Sequence, residues 1–322
     1  MPLRAIGQAF DPMVRLLAAA IVLASILPVT GEGRAVAQSV SDAAIFLLFL
    51  LNGLRLPRAE VLRGLGHWPF LLPLVLWCFG AMALFGWMEW RFASQWIPAS
   101  VALGLLYLGT LPSTVQSATA YSSLAGGNVA SSVVAAALLN ILGVFLTAPI
   151  FAALAGGEAV SLGWTGLQKI ALVLLLPFAI GQVLQSKLGG FVTDNRRMLT
   201  WADRTAIAIA VYVAFSAAVE QGIWQRIDAE AWVILLGCVA AFLAFAFGGA
   251  WFLGGALGLA RDDRVAMLFA GGQKSIAMGA PLATILFPAE QAGLVLLPVL
   301  TYHLLQLALS APIASRLARR HR

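Results

Sequence analysis

Lys274 is the residue whose position most strongly suggests chemistry, because its ammonium group lies in the middle of a long apolar run. Gly271, Gly272 and Gln273 come directly before it, and Ser275 follows. Two adjacent glycines weaken a helix, so the run is predicted to break here. A charged side chain inside a membrane is costly and by default marks a functional site. The alternative is that Lys274 extends to the membrane surface, but the run begins about 15 Å earlier on a straight helix, which a lysine cannot cover.

A second polar segment, residues 111–123, interrupts another apolar run. Pro112 removes a backbone donor and frees a carbonyl group four residues earlier. Non-helical backbone at membrane depth survives only where protein buries it or where it lines a wet cavity. With the hydroxyls of Ser113, Thr114 and Ser117, the freed carbonyls form an oxygen-rich set suited to a small cation or a polar substrate. The alternative is that small Ser and Thr residues allow close helix packing.

Three polar residues, Asn128, Ser132 and Asn140, follow this segment. Asn128 follows two glycines and is expected to cap the next helix. Ser132 and Asn140 are eight residues apart, which places them on one face of that helix, two turns from each other. That face either looks back at the interrupted segment or packs against other helices, and both interpretations stay open.

The elements that position these residues must lie in a membrane, because the chain has too little charge to cover a soluble surface. Of 322 residues, 61% are apolar and 11% are charged, against roughly 25% charged residues in a soluble domain. This excludes a soluble enzyme, a disordered regulator and a disulfide scaffold. The net charge of +6 is spread over short loops and is not a nucleic-acid footprint. Cys78 and Cys238 lie inside apolar runs and are expected to be buried packing residues.

Ten apolar runs are predicted to span the membrane, since one crossing needs roughly 20 residues. They lie near residues 14–30, 39–54, 69–88, 97–124, 128–154, 165–186, 204–222, 231–258, 265–287 and 291–315. The interrupted runs are the fourth and the ninth, which are corresponding members of two halves of five. Because five is odd, the halves would be inverted relative to one another. Matching interruptions in inverted halves point to a transporter binding site.

Positive charge predicts the orientation of the chain. Fifteen of the 20 Lys and Arg residues fall on one side of the predicted spans, four fall on the other, and Lys274 is the remaining one. The positive-inside rule places the first side, with both termini, in the cytoplasm, and we expect a multi-pass protein of the cytoplasmic (plasma) membrane. We interpret the first run as a retained helix rather than a cleaved signal peptide, although Ala35-Val36-Ala37 resembles a cleavage site.

Carboxylates are expected to be absent from both interruptions. Asp42 and Glu220 lie near span ends, and every other acidic residue is assigned to a loop. The usual intramembrane partner of a proton or a sodium ion is therefore missing from the predicted site.

The interrupted segments resemble the bile acid:sodium symporter family, most closely its SBF-like branch, which includes bacterial proteins and the divergent seventh vertebrate member. The similarity covers nearly the whole chain, from Asp11-Pro12 through Leu54-Arg55-Leu56 and onward. Three motifs are each weak and together specific: Leu111-Pro112-Ser113-Thr114-Val115-Gln116-Ser117, Leu124-Ala125-Gly126-Gly127-Asn128-Val129-Ala130 and Gly271-Gly272-Gln273-Lys274-Ser275.

The resemblance implies an all-α membrane protein of ten transmembrane helices in two inverted five-helix repeats, with discontinuous fourth and ninth helices crossing in a core domain. It implies one transporter unit over residues 1–322, with the core domain near 66–155 and 230–316 and a panel domain near 10–56 and 164–224. It also implies that an organic anion is carried by alternating access and that two sodium ions bind behind the crossing.

The family's site residues carry over only in part. Its polar unwound stretch matches Ser113 to Thr119, and Ser132 matches a sodium-binding serine. The predicted ion or substrate ligands are Ser113, Thr114, Gln116, Ser117, Thr119, Asn128, Ser132, Gly271, Gly272, Gln273, Lys274 and Ser275. The candidate sodium ligands among them are Ser117, Ser132 and Gln273.

Three departures from the family concern the sodium sites. A threonine one turn after Ser132 is replaced by Ala136, and the glutamate shared by both sodium sites falls on Phe269. The residue after the family's glutamine is Lys274. Our hypothesis is that the Lys274 ammonium takes the place of at least one sodium ion beside the unwound carbonyls. Gain and loss of its proton would then couple transport to pH.

The sequence therefore predicts a secondary transporter of a small organic anion in membrane lipid, with sodium or a proton as the coupling ion and no other cofactor. One alternative is a membrane-embedded regulator or scaffold that keeps the transporter fold. Another is a membrane enzyme that uses a Ser/Lys pair with Lys274, although the leading prediction is that the chain is not an enzyme. His303, the one histidine well inside a run, is expected to be a packing residue. The substrate and the oligomeric state are not predicted.

Overall fold

The computed structural model describes residues 12–55, 65–156, 168 and 171–319, which contain helices, turns and connecting segments but no β-strand. By length and composition, seven helices among them are long and apolar enough to cross a membrane. They are Gly33–Arg55, Trp68–Ala93, Val129–Ala155, Ala171–Asp194, Arg196–Glu220, Ala229–Ala256 and Ala289–Arg319. The predictions for Asp11, Leu56, the start of the sixth run and both termini lie outside the described residues.

The helices follow one another with short connections. In chain order they are α1 (Pro12–Ile26), α2 (Gly33–Arg55), α3 (Trp68–Leu76), α4 (Met82–Ala93), α5 (Ala99–Thr110), α6 (Gln116–Leu124), α7 (Val129–Ala155), α8 (Leu176–Asp194), α9 (Arg196–Glu220), α10 (Ile223–Arg226), α11 (Ala229–Ala256), α12 (Arg261–Gly272), α13 (Ile276–Leu286) and α14 (Ala289–Arg319). A π-helical turn, Trp77–Ala81, connects α3 to α4, and another, Ala171–Leu175, leads into α8.

The chain divides into two compact units by the proximity of Cα atoms. The first unit comprises Met1–Pro57, Val160–Arg226 and Ala280–Leu294, and the second comprises Arg58–Ala159, Ile227–Gly279 and Val295–Arg322. Whether these units act as the panel and core domains that the resemblance implies stays a prediction.

Close backbone contact holds the first unit together. Its helix α2 packs against α8 and α9, and α1 packs against α9. Gly53 on α2 and Gly181 on α8 lie at the contact between α2 and α8. A Cβ atom added to Gly53 would be only 2.2 Å from the Phe178 carbonyl oxygen. No other residue type fits at that contact without moving a backbone.

Ion pairs join the two ends of α2 to the two ends of α9. Arg34 at the start of α2 pairs with Glu220 at the end of α9, and Arg55 at the end of α2 pairs with Asp203 near the start of α9. The two helices are therefore antiparallel neighbours. Asp203 is buried, so its pairing with Arg55 offsets the cost of placing a carboxylate there.

The second unit is built around α12. This helix packs against α6, α7 and α11, while α4 packs against α5 where Gly86 faces Gly109. Apolar side chains of α3, the Trp77–Ala81 turn, α7 and α12 form its core: Phe70, Leu71, Leu74, Cys78, Phe79, Ala135, Leu139, Ala266, Met267 and Ala270. Both cysteines are free and buried, as predicted.

Both predicted helix interruptions are present in the second unit. Residues 111–115 between α5 and α6 are not helical, and neither are residues 273–275 between α12 and α13. Leu111 and Gln273 have extended backbone, with ψ of 148° at each. The Ser275 N–H donates to the Pro112 carbonyl oxygen at 2.9 Å, so the two extended segments touch directly.

The predicted runs agree with the helices to the extent that each run contains helical residues. The fourth and ninth runs are each divided into two short helices, α5 with α6 and α12 with α13. The first run corresponds to α1, an apolar helix of 15 residues. The count of ten spans and the inverted repeat stay predictions.

Candidate functional site

The Lys274 ammonium sits in a cage of three backbone carbonyl oxygens. Its side chain is 1% exposed, and Nζ donates to the carbonyls of Leu111 at 2.7 Å, Gly109 at 2.9 Å and Cys78 at 3.1 Å. An ammonium group has three N–H donors and no acceptor, so every donor has a partner. The side chain points into the second unit rather than to a membrane surface. We call these three carbonyls with Lys274 the lysine cage.

Each cage carbonyl is available because a helix lacks a donor there. Gly109 and Leu111 lie at the C-terminal end of α5, where the last carbonyls have no partner within the helix and carry partial negative charge. Cys78 lies in the Trp77–Ala81 turn. In a regular α-helix the Met82 N–H would bond to the Cys78 carbonyl, but here it bonds to that of Trp77. Single π-turns of this kind are frequent at functional sites.

The other carbonyls of the first interruption also have protein partners. Thr147 Oγ1 donates to the Thr110 carbonyl at 3.0 Å, and Asn140 Nδ2 donates to the Ser113 carbonyl at 2.9 Å. Asn140 therefore looks back at the interruption, which was one of the two open interpretations. Together with the backbone bond to Pro112, these contacts allow extended chain to persist at membrane depth.

Aromatic donors serve the end of α12 at the second interruption. Trp77 Nε1 donates to the Gly271 carbonyl at 3.2 Å, and the Tyr302 hydroxyl donates to the Gly272 carbonyl at 2.6 Å. A Cβ atom on Gly272 would lie 3.0 Å from the Phe247 ring. Both glycines thus permit tight packing and leave their carbonyls capped by side chains.

Gln306 on α14 holds the backbone of Lys274. The Lys274 N–H donates to Gln306 Oε1 at 2.7 Å, and Gln306 Nε2 donates to the Lys274 carbonyl at 3.0 Å. His303 Nδ1 lies 2.9 Å from Gln306 Nε2, so the neutral ring accepts through Nδ1. This bidentate amide contact fixes the extended segment, and His303 is a packed partner rather than a catalytic base.

Three side-chain oxygens, from the two interruptions and the first turn of α6, form a second polar group. Thr114 Oγ1 and Ser117 Oγ each lie within donating distance of Gln273 Oε1, at 2.5 and 2.6 Å, and 2.7 Å from one another. Gln273 Nε2 donates to Ser310 Oγ at 3.0 Å. We call Thr114, Ser117 and Gln273 the oxygen triad. The triad is uncharged. Because its hydroxyls can rotate, they can donate hydrogen bonds to an anion, or the three oxygens can coordinate a cation.

Several predicted ligands lie apart from the oxygen triad. Ser132 Oγ is buried without a hydrogen-bond partner among the described residues. Gln116 is exposed, and Thr119 Oγ1 is buried without a partner in the described part of the chain. Of the candidate sodium ligands, Ser117 and Gln273 are brought together, while Ser132 bonds to neither.

Asn128 has a structural role at the other end of α12. It caps α7 as predicted, because its Oδ1 accepts from the Ser131 N–H at 3.0 Å. Its Nδ2 donates to Asp263 Oδ1 at 2.9 Å. Asp263 lies in the first turn of α12 and Gln273 just beyond the last, about 15 Å apart along a helix. A direct role for Asn128 in binding stays a prediction.

An aromatic side chain occupies the position that corresponds to the family's glutamate. Phe269 is fully buried, stacks on Tyr121 with ring centroids 5.9 Å apart, and meets Phe247 edge-on at 6.4 Å. Ala136 is also fully buried. The surroundings of this position are therefore apolar and contain no carboxylate from α12.

The expectation that acidic residues other than Asp42 and Glu220 lie in loops is wrong for Glu89, Asp194, Asp203, Glu230, Asp262, Asp263 and Glu290, which lie in helices. Two of these seven are buried. Glu89 is in the last turns of α4 and is 8% exposed, and Asp203 is buried in α9. The signal for Glu89 was its spacing, since Met82, Gly86 and Glu89 recur on one helix face. Its short distance from Arg91 favoured a loop instead.

The chain matches the SBF-like CPA transporter family over residues 11–319. It is 37% identical to an uncharacterized protein, PA2026, of Pseudomonas aeruginosa, over 96% of this chain and 93% of that protein. It is 36% identical to YfeH of Escherichia coli (strain K12), whose name describes a symporter, over 96% and 93%. It is 25% identical to sodium/bile acid cotransporter 7 of Rattus norvegicus, over 85% and 81%.

Proposed function

This chain belongs to the SBF-like CPA transporter family, and from that membership we propose that it is a secondary transporter that moves a small organic anion by alternating access. The seven apolar helices and the family make it an integral membrane protein. The family is one of transporters, so the chain is not an enzyme. We place it in the cytoplasmic membrane with both termini inside, on the distribution of its positive charge.

The lysine cage supports a proposal about the coupling ion. Backbone carbonyl oxygens can bind a sodium ion. Here they bind the ammonium group of Lys274, a cation that is part of the chain. A sodium ion within about 5 Å of this ammonium would be repelled by about 3 kcal/mol at an effective dielectric constant of about 20. Lys274 takes the place of at least one sodium ion in this proposal, and a proton gradient drives transport.

The oxygen triad supports a proposal about what else binds. It lies at the start of α6, and the N-terminal end of a helix favours negative charge. A carboxylate, sulfate or phosphate group of the substrate could accept from Thr114 and Ser117 there. The same three oxygens are the candidate place for a remaining sodium ion, with Ser132 as the outlying member.

Uptake into proteoliposomes tests the function directly. A steroid sulfate and a bile acid serve as probes, each with an imposed sodium gradient and, separately, an imposed pH gradient. Uptake driven only by the pH gradient is the expected result. Uptake driven by sodium would contradict the proposed role of Lys274, and binding of a probe without any uptake would favour a regulator or scaffold that keeps the fold.

The Lys274→Gln variant links the result to the cage. Its amide offers two N–H donors and no charge, so we expect lost uptake or a changed driving ion. Lys187→Gln is the matched control, because Lys187 is exposed on α8. Unchanged kinetics and ion dependence in Lys274→Gln would rule out the substitution of this lysine for sodium.

A further inference from the structure

Glu89 is a buried carboxyl group that the lysine cage and the oxygen triad do not use. It lies on α4 in the second unit, it is 8% exposed, and its Oε2 atom has no hydrogen-bond partner among the described residues. Arg91, two residues further on, is exposed and lies over the Trp90 ring at 5.9 Å. The nearest cation in sequence therefore does not pair with this carboxyl group.

The helices packed against α4 bring no positive charge to Glu89. On α5 the titratable residue is Tyr107, whose hydroxyl donates to the Gly279 carbonyl, and α7 contains no titratable residue. On α11 the thiol of Cys238 is near enough to interact electrostatically with Glu89, and so is the hydroxyl of Tyr302 on α14. Glu230 is exposed at the start of α11.

Lys274 is also too far away to neutralise Glu89. The cage carbonyl of Cys78 precedes Glu89 by eleven residues, or about 16 Å along the helix. An ionised carboxylate in such surroundings, with no cation beside it in the described part of the chain, is strongly disfavoured. A bound proton removes that cost. A buried carboxyl group can still exchange its proton with water when a transporter opens to one side of the membrane and then to the other.

We infer that Glu89 is the group that binds and releases the coupling proton. The carboxylate takes a proton from water on one side of the membrane to form a neutral carboxylic acid, and the O–H bond breaks again to return the proton to water on the other side. Lys274 is less suited to this task, because loss of one proton would leave one of its three carbonyls without a donor. The use of this proton rests on the proposed transport function, whereas its binding does not.

Helix α4 also connects the proton site to the lysine cage. It begins directly after the π-turn that frees the Cys78 carbonyl. Met82 and Gly86, on the same face as Glu89, lie against Gly109 of the cage, and a Cβ atom on Gly109 would be 2.6 Å from the Met82 carbonyl oxygen. A change of charge at Glu89 therefore acts on a helix that contacts two of the three cage residues.

Infrared difference spectroscopy of the full-length protein in lipid nanodiscs measures the proton without any transport. A pH titration in H₂O and in D₂O follows the carbonyl stretch of protonated carboxyl groups. Among the bands that titrate and shift in D₂O, we expect one that is lost in Glu89→Gln. The matched controls are Glu230→Gln and Glu290→Gln, because both residues are exposed on helices, and we expect both to keep that band.

Two results would overturn the inference: a spectrum that is identical in the wild type and Glu89→Gln, or a Glu89 band that persists at all pH values. Should Glu89→Gln not fold, Glu89→Asp keeps the acid and must move the midpoint of the band, and an unmoved band would count against Glu89. Uptake together with a silent Glu89 would refute this inference alone. A titrating Glu89 without uptake of any anion would refute the proposed function alone.

Discussion

At the scale of single residues, Lys274 joins backbone segments that are distant in sequence. Lys274→Met keeps a similar length and removes all three donors. The three buried carbonyls then lose their partner, which costs about 1–3 kcal/mol each, so we expect a loss of roughly 3 kcal/mol or more in the free energy of unfolding. Thermal unfolding of the purified protein in detergent, followed by tryptophan fluorescence, measures it.

The control for this variant is Lys187→Met on the exposed surface of α8, which is expected to change stability by no more than about 0.5 kcal/mol. If both variants unfold at the same temperature as the wild type, the cage contributes no stability.

The oxygen triad makes a second prediction at this scale. Thr114→Val removes one of the two hydroxyls that face Gln273 Oε1 and keeps the shape of the side chain. In the proposed site the Thr114 hydroxyl donates one hydrogen bond to the substrate anion, which is worth about 1 kcal/mol, so we expect the initial uptake rate to fall about fivefold. We expect the melting temperature to change little, because Ser117 still donates to Gln273 Oε1. Thr193→Val, on the exposed end of α8, is expected to keep the wild-type rate. Equal rates in both variants would remove Thr114 from the site.

The side chains of this site could be predicted from the sequence, and their backbone partners could not. Lys274, Gln273 and Thr114 were identified because charge and polarity are conspicuous in apolar runs. The Cys78 carbonyl was not, since a backbone oxygen becomes available only when the helix register shifts, and no residue type marks that shift. Gln306 was missed because a single amide in an otherwise regular helix resembles a packing residue.

At the scale of helices, glycines fix how closely two backbones approach. A Cβ atom at Gly53 would overlap the Phe178 carbonyl, so Gly53→Ala is expected to destabilise the protein by about 1–3 kcal/mol. Gly248 on α11 has open space around its Cα, and Gly248→Ala is expected to stabilise it by about 0.5–1 kcal/mol. Melting temperatures of the two variants should therefore move in opposite directions. A shift of the same sign would contradict the close contact of α2 with α8.

Helix positions were predictable because long apolar runs have few other uses. The interruptions at Pro112 and at Gly271 and Gly272 were also predictable, since each residue type has a known effect on a helix. The π-turn at Trp77–Ala81 was not, because its sequence is apolar and continues the helix on either side. Glu89 was placed in a loop because its polar neighbours resemble the end of a span.

At the scale of the whole molecule, the uneven distribution of positive charge predicts which loops face the cytoplasm. Ser94, between α4 and α5, should be outside, and Asp194, at the end of α8, should be inside. With Cys78 and Cys238 replaced by Ala, Ser94→Cys should react with a membrane-impermeant maleimide on intact cells, and Asp194→Cys should react only after permeabilisation. The reverse pattern would invert the orientation, and labelling of both on intact cells would contradict the predicted spans.

The positive charge in the lysine cage does not depend on the concentration of any dissolved ion. A dissociable ion stabilises a fold by an amount that depends on its concentration and its dissociation constant, so its site empties when the ion becomes scarce. The ammonium of Lys274 is tethered by covalent bonds and cannot be diluted. The ammonium group therefore stays beside the extended segments in fresh water and in brine alike. Salinity does not directly change the occupancy of this site.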